Sequence, residues 1–150
     1  MVKKGVHLLV LALVFLLGAC AGGGSAPADV EKIYQDMLKV GGPPAMLTVP
    51  PEKAEYIFGI MRADCARSVT AVSEDGMLAD EIWLLEAVDS AAAARLEALA
   101  RARLEQKAAE TKDYAPAQYQ IVQKGQVVRR GNCVFLLVSA QQEALSKCLP

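Results

Sequence analysis

The segment Asp80 to Val88, D-E-I-W-L-L-E-A-V, constrains the fold more than any other stretch of the chain. Its β-branched and aromatic content reads as a strand, and because successive side chains point to opposite faces, apolar residues at both parities need cover on both sides. Such a strand belongs in the middle of a sheet. Before it, Ala66 to Ser73 reads as a second strand through Val69, Thr70, Ala71 and Val72, and Ser73-Glu74-Asp75-Gly76 supplies turn chemistry between the two. Trp83 on the central strand is expected in the core rather than as a platform for a ligand.

The flanks are mostly helical. Val30, Ile33, Tyr34 and Met37 recur at helical spacing, giving a helix from Ala28 to Lys39 that Gly41-Gly42-Pro43-Pro44 stops. Pro51 suits the first turn of a short helix ending near Gly59, with Tyr56, Ile57 and Phe58 expected as its buried side. Ser90 is expected to cap a long helix from Ala91 to about Lys112, with Leu96, Leu99, Ala100 and Leu104 inward and Glu97–Arg101 and Arg101–Glu105 as i,i+4 pairs. After Tyr114-Ala115-Pro116 comes a hairpin, Gln126 to Arg130 and Cys133 to Val138 around Gly131-Asn132, and then a short helix from Gln141 to Lys147. The order α-α-β-β-α-β-β-α implies one α+β domain over residues 28–150, with a mostly antiparallel four-stranded sheet and helices packed on at least one face.

The first residues read as an address rather than a structural element. Lys3 and Lys4 precede an apolar run from Leu8 to Leu17, which as a helix would rise only about 15 Å and so is too short to span a bilayer. Leu17-Gly18-Ala19 then leads directly into Cys20, which resembles the lipobox of bacterial lipoproteins. That resemblance implies cleavage between Ala19 and Cys20, a signal peptide over residues 1–19, and acylation of Cys20 with palmitate-type chains. Two chains hold stably where one holds marginally, at about 0.8 kcal/mol per buried CH₂. Residues 20–27 continue as a Gly/Ser-rich tether. The first partner is therefore the lipid bilayer, with the domain on the extracytoplasmic face of the cell membrane.

Several chemistries are excluded. Loss of Lys3 and Lys4 leaves acids in excess and no basic stripe, which disfavours nucleic acid. The only histidine is His7, within the cleaved segment, so imidazole-dependent nucleophile systems and the usual zinc and non-haem iron ligand sets are lost. Cys65, Cys133 and Cys148 follow Cys20 without a C-x-x-C spacing; an oxidising compartment would favour one pair, with Cys65–Cys148 preferred and no pairing at all left open. Carboxylate hydrolysis survives, with Asp64, Glu74, Asp75, Asp80, Glu81 and Glu86 as candidates, but a single Trp is a thin supply of aromatic platforms for sugars. Ser73 to Gly76 lacks the alternating oxygens of a calcium loop and reads as a solvated turn. No catalytic residue, metal ligand or cofactor is assigned.

Tyr56-Ile57-Phe58-Gly59-Ile60, Ala79-Asp80-Glu81-Ile82, the long helix, Pro116 with Tyr119, and Gly131-Asn132 before a Val/Leu strand come in an order that, with the lipobox, resembles the bacterial lipoproteins carrying domain of unknown function 4358. The resemblance runs from about Ala28 to Ser139. It implies a Gram-positive envelope setting and carries no activity or catalytic residues with it; three cysteines within the domain are not part of its pattern. The expected function is a membrane-anchored, non-catalytic module that binds another envelope protein or a small ligand, with Asp80 and Glu81 as a candidate contact surface. The alternative is a small carboxylate-dependent hydrolase of cell-envelope glycans. In fractionated cells the wild-type chain is expected with membranes and Cys20→Ser in the soluble fraction; wild-type protein free in the medium with an unmodified Cys20 would contradict the anchor.

Overall fold

The computed structural model describes residues 28–40 and 44–150. The expected signal, the Ala19/Cys20 cleavage and lipidation site, the tether and the Gly41-Gly42-Pro43 stop lie outside the described residues.

Helix α1 spans Val30–Lys39 and buries the expected stripe of Val30, Ile33, Tyr34 and Met37, while Asp29 caps its start by accepting from the Lys32 amide at 3.1 Å. Strand β1, Met46–Thr48, was not expected from sequence, because three residues between prolines carry no periodic signal. Pro50 and Pro51 end it, since proline has no N–H to give a ladder, and Pro51 opens α2, Pro51–Phe58. Gly59 closes α2 at φ 73°, a left-handed position that suits glycine. The expected buried side of α2 is corrected: Ala54 is buried, whereas Tyr56 is 91% and Ile57 58% exposed, and only Phe58 turns inward. A 3₁₀ turn, Arg62–Asp64, leads into β2, Cys65–Ser73, and the Ser73–Gly76 region returns the chain to β3, Glu81–Ala87.

Helix α3 covers Ser90–Lys112, and its cap is Asp89 rather than the expected Ser90: the Asp89 carboxylate accepts from the Ala92 amide at 2.7 Å, and Ser90 is the first helical residue. The Glu97–Arg101 pair forms at 2.7 Å; the Arg101–Glu105 pair does not form among the described residues. A further helix, α4, Pro116–Gln123, occupies what reads from sequence as a connection, with Pro116 in its first turn. The hairpin of β4, Gln126–Arg130, and β5, Cys133–Val138, turns at Gly131, φ 59°, and α5, Gln142–Ser146, follows.

The sheet has five strands, not the four expected, in the order β1-β2-β3-β5-β4, every neighbour antiparallel. β3 takes the central position that its two apolar faces demand. Trp83, Leu85 and Ala87 face α2, α3 and α4, and Ile82 and Leu84 face α1 and α5, so helices cover both faces. We call the end where β2 begins and β3 finishes the lower end, and the end at Ser73, Glu81 and Val138 the upper end. Cys65 packs into the cluster on the α3 face and Cys148 against the cluster on the α1 face, so the sheet separates them. The expected Cys65–Cys148 disulfide is absent in consequence: Cys65, Cys133 and Cys148 are free thiols.

Gly125, between α4 and β4, is held by close approach: a Cβ there would lie 2.7 Å from Leu104 Cδ1 and 2.9 Å from the Val122 carbonyl oxygen. Gly125→Ala is expected to destabilise by about 1–3 kcal/mol, as overpacking does. Thermal unfolding checks this against Gly76→Ala, where an added Cβ meets nothing within 4 Å and the midpoint should not move.

Candidate functional site

The expected contact surface at Asp80 and Glu81 does not exist as a surface. Both residues are buried, Glu81 at 0% exposure; Asp80 directly precedes β3, and the Ser73 N–H to Asp80 carbonyl bond keeps it extended, so the two side chains alternate to opposite faces. Glu81 lies under α3, where Arg103 Nε donates to its Oε1 at 3.0 Å, Arg103 Nη2 to its Oε2 at 2.8 Å, and Lys107 Nζ to Oε2 at 2.9 Å. Burial pushes the Glu81 carboxyl up, but the Arg103 hydrogen bonds with the Lys107 and Arg103 charges outweigh it and hold the group below its ordinary value. The Arg103 guanidinium also sits over the Phe58 ring, 5.3 Å from its centroid, and Phe58 packs on Trp83 at 5.4 Å. A carboxylate neutralised this way locks a helix to a strand and has no free oxygen for acid–base work.

Asp64, Glu86 and Asp75 are also engaged. Asp64 accepts from Arg95 Nη2 and from its Nε at 3.1 Å, chiefly through which its carboxyl is lowered, and Glu86 accepts from Arg67 across the β2–β3 pair. Asp75 is spent on the turn, its Oδ1 accepting from the Met77 amide at 2.9 Å, and Glu74 lies exposed beside it.

What the fold offers instead is a groove of about 240 Å³ at the lower end, between α2 and the outer edge of β2. Pro51, Ala54 and Ile60 form its apolar wall, and Cys65, Ala66 and Ser68 its floor. The floor is strand backbone that no strand of the described residues pairs with: β1 pairs only with Ala71, Val72 and Ser73, and Val49 N–H then donates to the Thr70 carbonyl at 2.7 Å before the prolines turn the chain away. By antiparallel alternation the Ser68 N–H and C=O point to the same outer side as those of Thr70. A bulge at Ala66, set by the shift between Cys65 opposite Ala87 and Arg67 opposite Glu86, bends the strand just below. Arg62 and Arg67 flank the opening, held by Glu55 at 2.7 Å and by Glu86. Met61 is exposed beside them, as are Tyr56 and Ile57 on the same α2 that forms the wall.

Cys65 in the groove floor is half-buried, and burial, with a smaller push from Asp64, raises its thiol to about 11. It is thus a packing thiol, not a nucleophile at neutral pH.

The model of a family described as domain of unknown function DUF4358 matches residues 42–139. The chain belongs to the DUF4358 family. Its match takes in all five strands and α2, α3 and α4, and therefore both Glu81 with its cations and the β2-edge groove. Helices α1 and α5 fall outside the DUF4358 match. No curated protein matches the chain. No solved structure matches it either.

The Glu81 cluster was missed in sequence, yet it left a signal: Arg103 and Lys107 stand in phase with Leu96 and Ala100 on the inward stripe of α3, and cations on a buried stripe imply a buried acid. Glu81→Gln is expected to cost about 3–5 kcal/mol, because buried Lys107 and half-buried Arg103 lose their counter-charge. With the folded carboxyl depressed, its stabilisation is present above the unfolded value and is lost as pH falls through the folded one. Acid titration of the unfolding midpoint should therefore show a loss on the acid side, below about pH 4, that is reduced in Glu81→Gln. Equal acid sensitivity in the two proteins would contradict this.

Proposed function

We infer that this chain is a lipid-anchored lipoprotein whose DUF4358 domain is a non-catalytic binding module, and that it binds an extended segment of another envelope protein along the lower edge of β2. The observation that carries this reading is the uncovered edge at Ala66 to Ser68 beside an apolar wall. Adding a strand to such an edge supplies main-chain hydrogen bonds for affinity, while the pocket beside it selects side chains. An open edge is otherwise a liability that proteins cover or blunt. Here the bulge at Ala66 and the charge of Arg67 restrict pairing to a short segment, which favours a specific partner over indiscriminate sheet extension.

The anchor rests on Leu17-Gly18-Ala19-Cys20 and the Gly-rich residues that follow. The anchor and the groove are compatible: Ala28 packs against the cluster that holds Cys133, and the Asp29 charge acts on Arg67, so the first described residues lie at the lower end. A tether over residues 20–27 would hold that end within about 25–30 Å of the bilayer, at roughly 3.4 Å per extended residue. The engagement of Asp64, Glu81 and Glu86 in ion pairs favours binding over hydrolysis.

A photo-crosslinking residue at Ile57, compared with one at the exposed Glu105 on α3, tests the reading in intact cells. A discrete adduct is expected from position 57, absent from position 105 and lost in Cys20→Ser. Identical patterns from both positions would contradict the groove as the binding surface, and adducts that persist in Cys20→Ser would contradict the dependence on the anchor alone.

A further inference from the structure

At the upper end, on the face covered by α1 and α5, two polar side chains are buried without partners. Asp80 is 4% exposed and its Oδ1 accepts no hydrogen bond; Gln142 is 8% exposed, and neither its Oε1 nor its Nε2 is bonded. Ser139 adjoins both. The last pair of the β3–β5 ladder sets Glu81 opposite Val138, so Asp80 and Ser139 are the next residues beyond it on the two chains, and the Gln142 amide N–H donates to the Ser139 carbonyl at 3.2 Å. The Ser139 hydroxyl accepts from the Gln141 amide at 3.1 Å.

Asp80 breaks the rule that the rest of the fold obeys. Glu81, Asp64 and Glu86, the other carboxylates turned largely away from water, each face an arginine or a lysine. No ion pair reaches Asp80 among the described residues. The cations that could approach from the covering helices are committed elsewhere: Lys39 on α1 to Asp36 at 3.1 Å, and Lys147 beyond α5 to Glu143 at 3.0 Å. A buried carboxylate with neither counter-charge nor hydrogen bond on one oxygen is costly, and none of the described residues supplies the missing positive charge.

We propose that Asp80, the Gln142 carboxamide oxygen and Ser139 form a site for a hard, oxygen-seeking cation, Ca²⁺ or Na⁺, that stabilises the upper end of the sheet. Asp80 supplies the charge, and Gln142 Oε1 and Ser139 supply neutral oxygens. Water completes the coordination and serves Gln142 Nε2. The approach is acidic: the segment from Ser73 to Glu81 holds Glu74, Asp75, Asp80 and Glu81 with no lysine or arginine. A shallow depression lined by Pro44, Ala45, Ser73, Glu74 and Asp75 opens beside it, and Ser73 N–H donates to the Asp80 carbonyl at 3.0 Å. No three His, Cys, Asp or Glu side chains converge on a point among the described residues, so a single carboxylate with neutral donors gives the weak affinity of extracellular calcium modules, about 0.1–1 mM. The site is separate from the Ser73–Gly76 turn, whose own side chains are used in closing that turn.

The test is thermal unfolding of the full chain in detergent, stripped with chelator and titrated with CaCl₂, MgCl₂ or NaCl against choline chloride at matched ionic strength. Either CaCl₂ or NaCl is expected to raise Tm by about 3–6 °C near tenfold excess over Kd. Asp80→Asn should abolish that shift, while its own Tm without cation equals or exceeds that of the stripped wild type, because the unpaired charge is gone. Gln142→Leu should reduce the shift, which keeps the test intact if Asp80→Asn does not fold. An unchanged wild-type Tm in every salt relative to choline, or a full shift retained in Asp80→Asn, overturns the proposal. A shift with CaCl₂ assigns the divalent ion, and one confined to NaCl the monovalent ion.

Discussion

One buried charge organises the α3 face of this fold. Glu81 opens the central strand, at the only position among Glu81, Trp83, Leu85 and Ala87 where that face is not apolar. Its carboxylate is tolerable only because α3 crosses the sheet with Arg103 and Lys107 directed at it. The pairing sets the rotation of α3, since the same helix phase that aims the two cations at Glu81 also sends Leu96 and Ala100 into the core. It sets strand register too. A slip of one residue would move every β3 side chain to the opposite face and put the charge among Ile33, Met37 and Phe135. Arg103 carries the constraint outward, because its contact with Phe58 ties α2 to the same point.

The two ends of the sheet then diverge. At the lower end β1 is too short to cover β2, and the prolines that end β1 leave the edge at Ser68 unpaired among the described residues beside α2. At the upper end acids gather, one of them buried without a partner. The DUF4358 match contains the groove, Glu81 and all five described strands, whereas α1 and α5, which cover the opposite face and of which α5 carries Gln142, lie outside it. The proposed binding edge thus belongs to the family domain, and the proposed cation site needs a helix that the match does not include.

Much of the sheet was legible in the sequence because burial on two faces leaves a mark on composition. The strand Asp80 to Val88 announced its central place, and the stripe of α1 and the hairpin around Gly131 followed from spacing and turn residues. Elements that borrow stability from neighbours left no such mark. β1 is three residues held by pairing alone, and α4 begins at a proline that reads equally well as a turn. Tyr56 and Ile57 misled because a hydrophobic triplet suggests a buried side, while a helix at the sheet margin buries one narrow stripe, here centred on Ala54. Asp80 and Glu81 look like a solvated strand entrance, and only the cations on α3 reveal that Glu81 is buried; the groove depends on where β1 stops, which no local pattern encodes. The disulfide expectation failed for a related reason: spacing along the chain does not reveal on which face of a sheet a cysteine lies.

The proposed binding edge of β2 is tested by amide hydrogen exchange at Ala66 and Ser68 in native membranes, where the proposed partner would be present, and in the purified chain. An occupied edge requires slow exchange in membranes and fast exchange after purification, with the β3 amides protected in both. Equally fast exchange at Ser68 in both preparations would contradict the edge as the working surface of this domain.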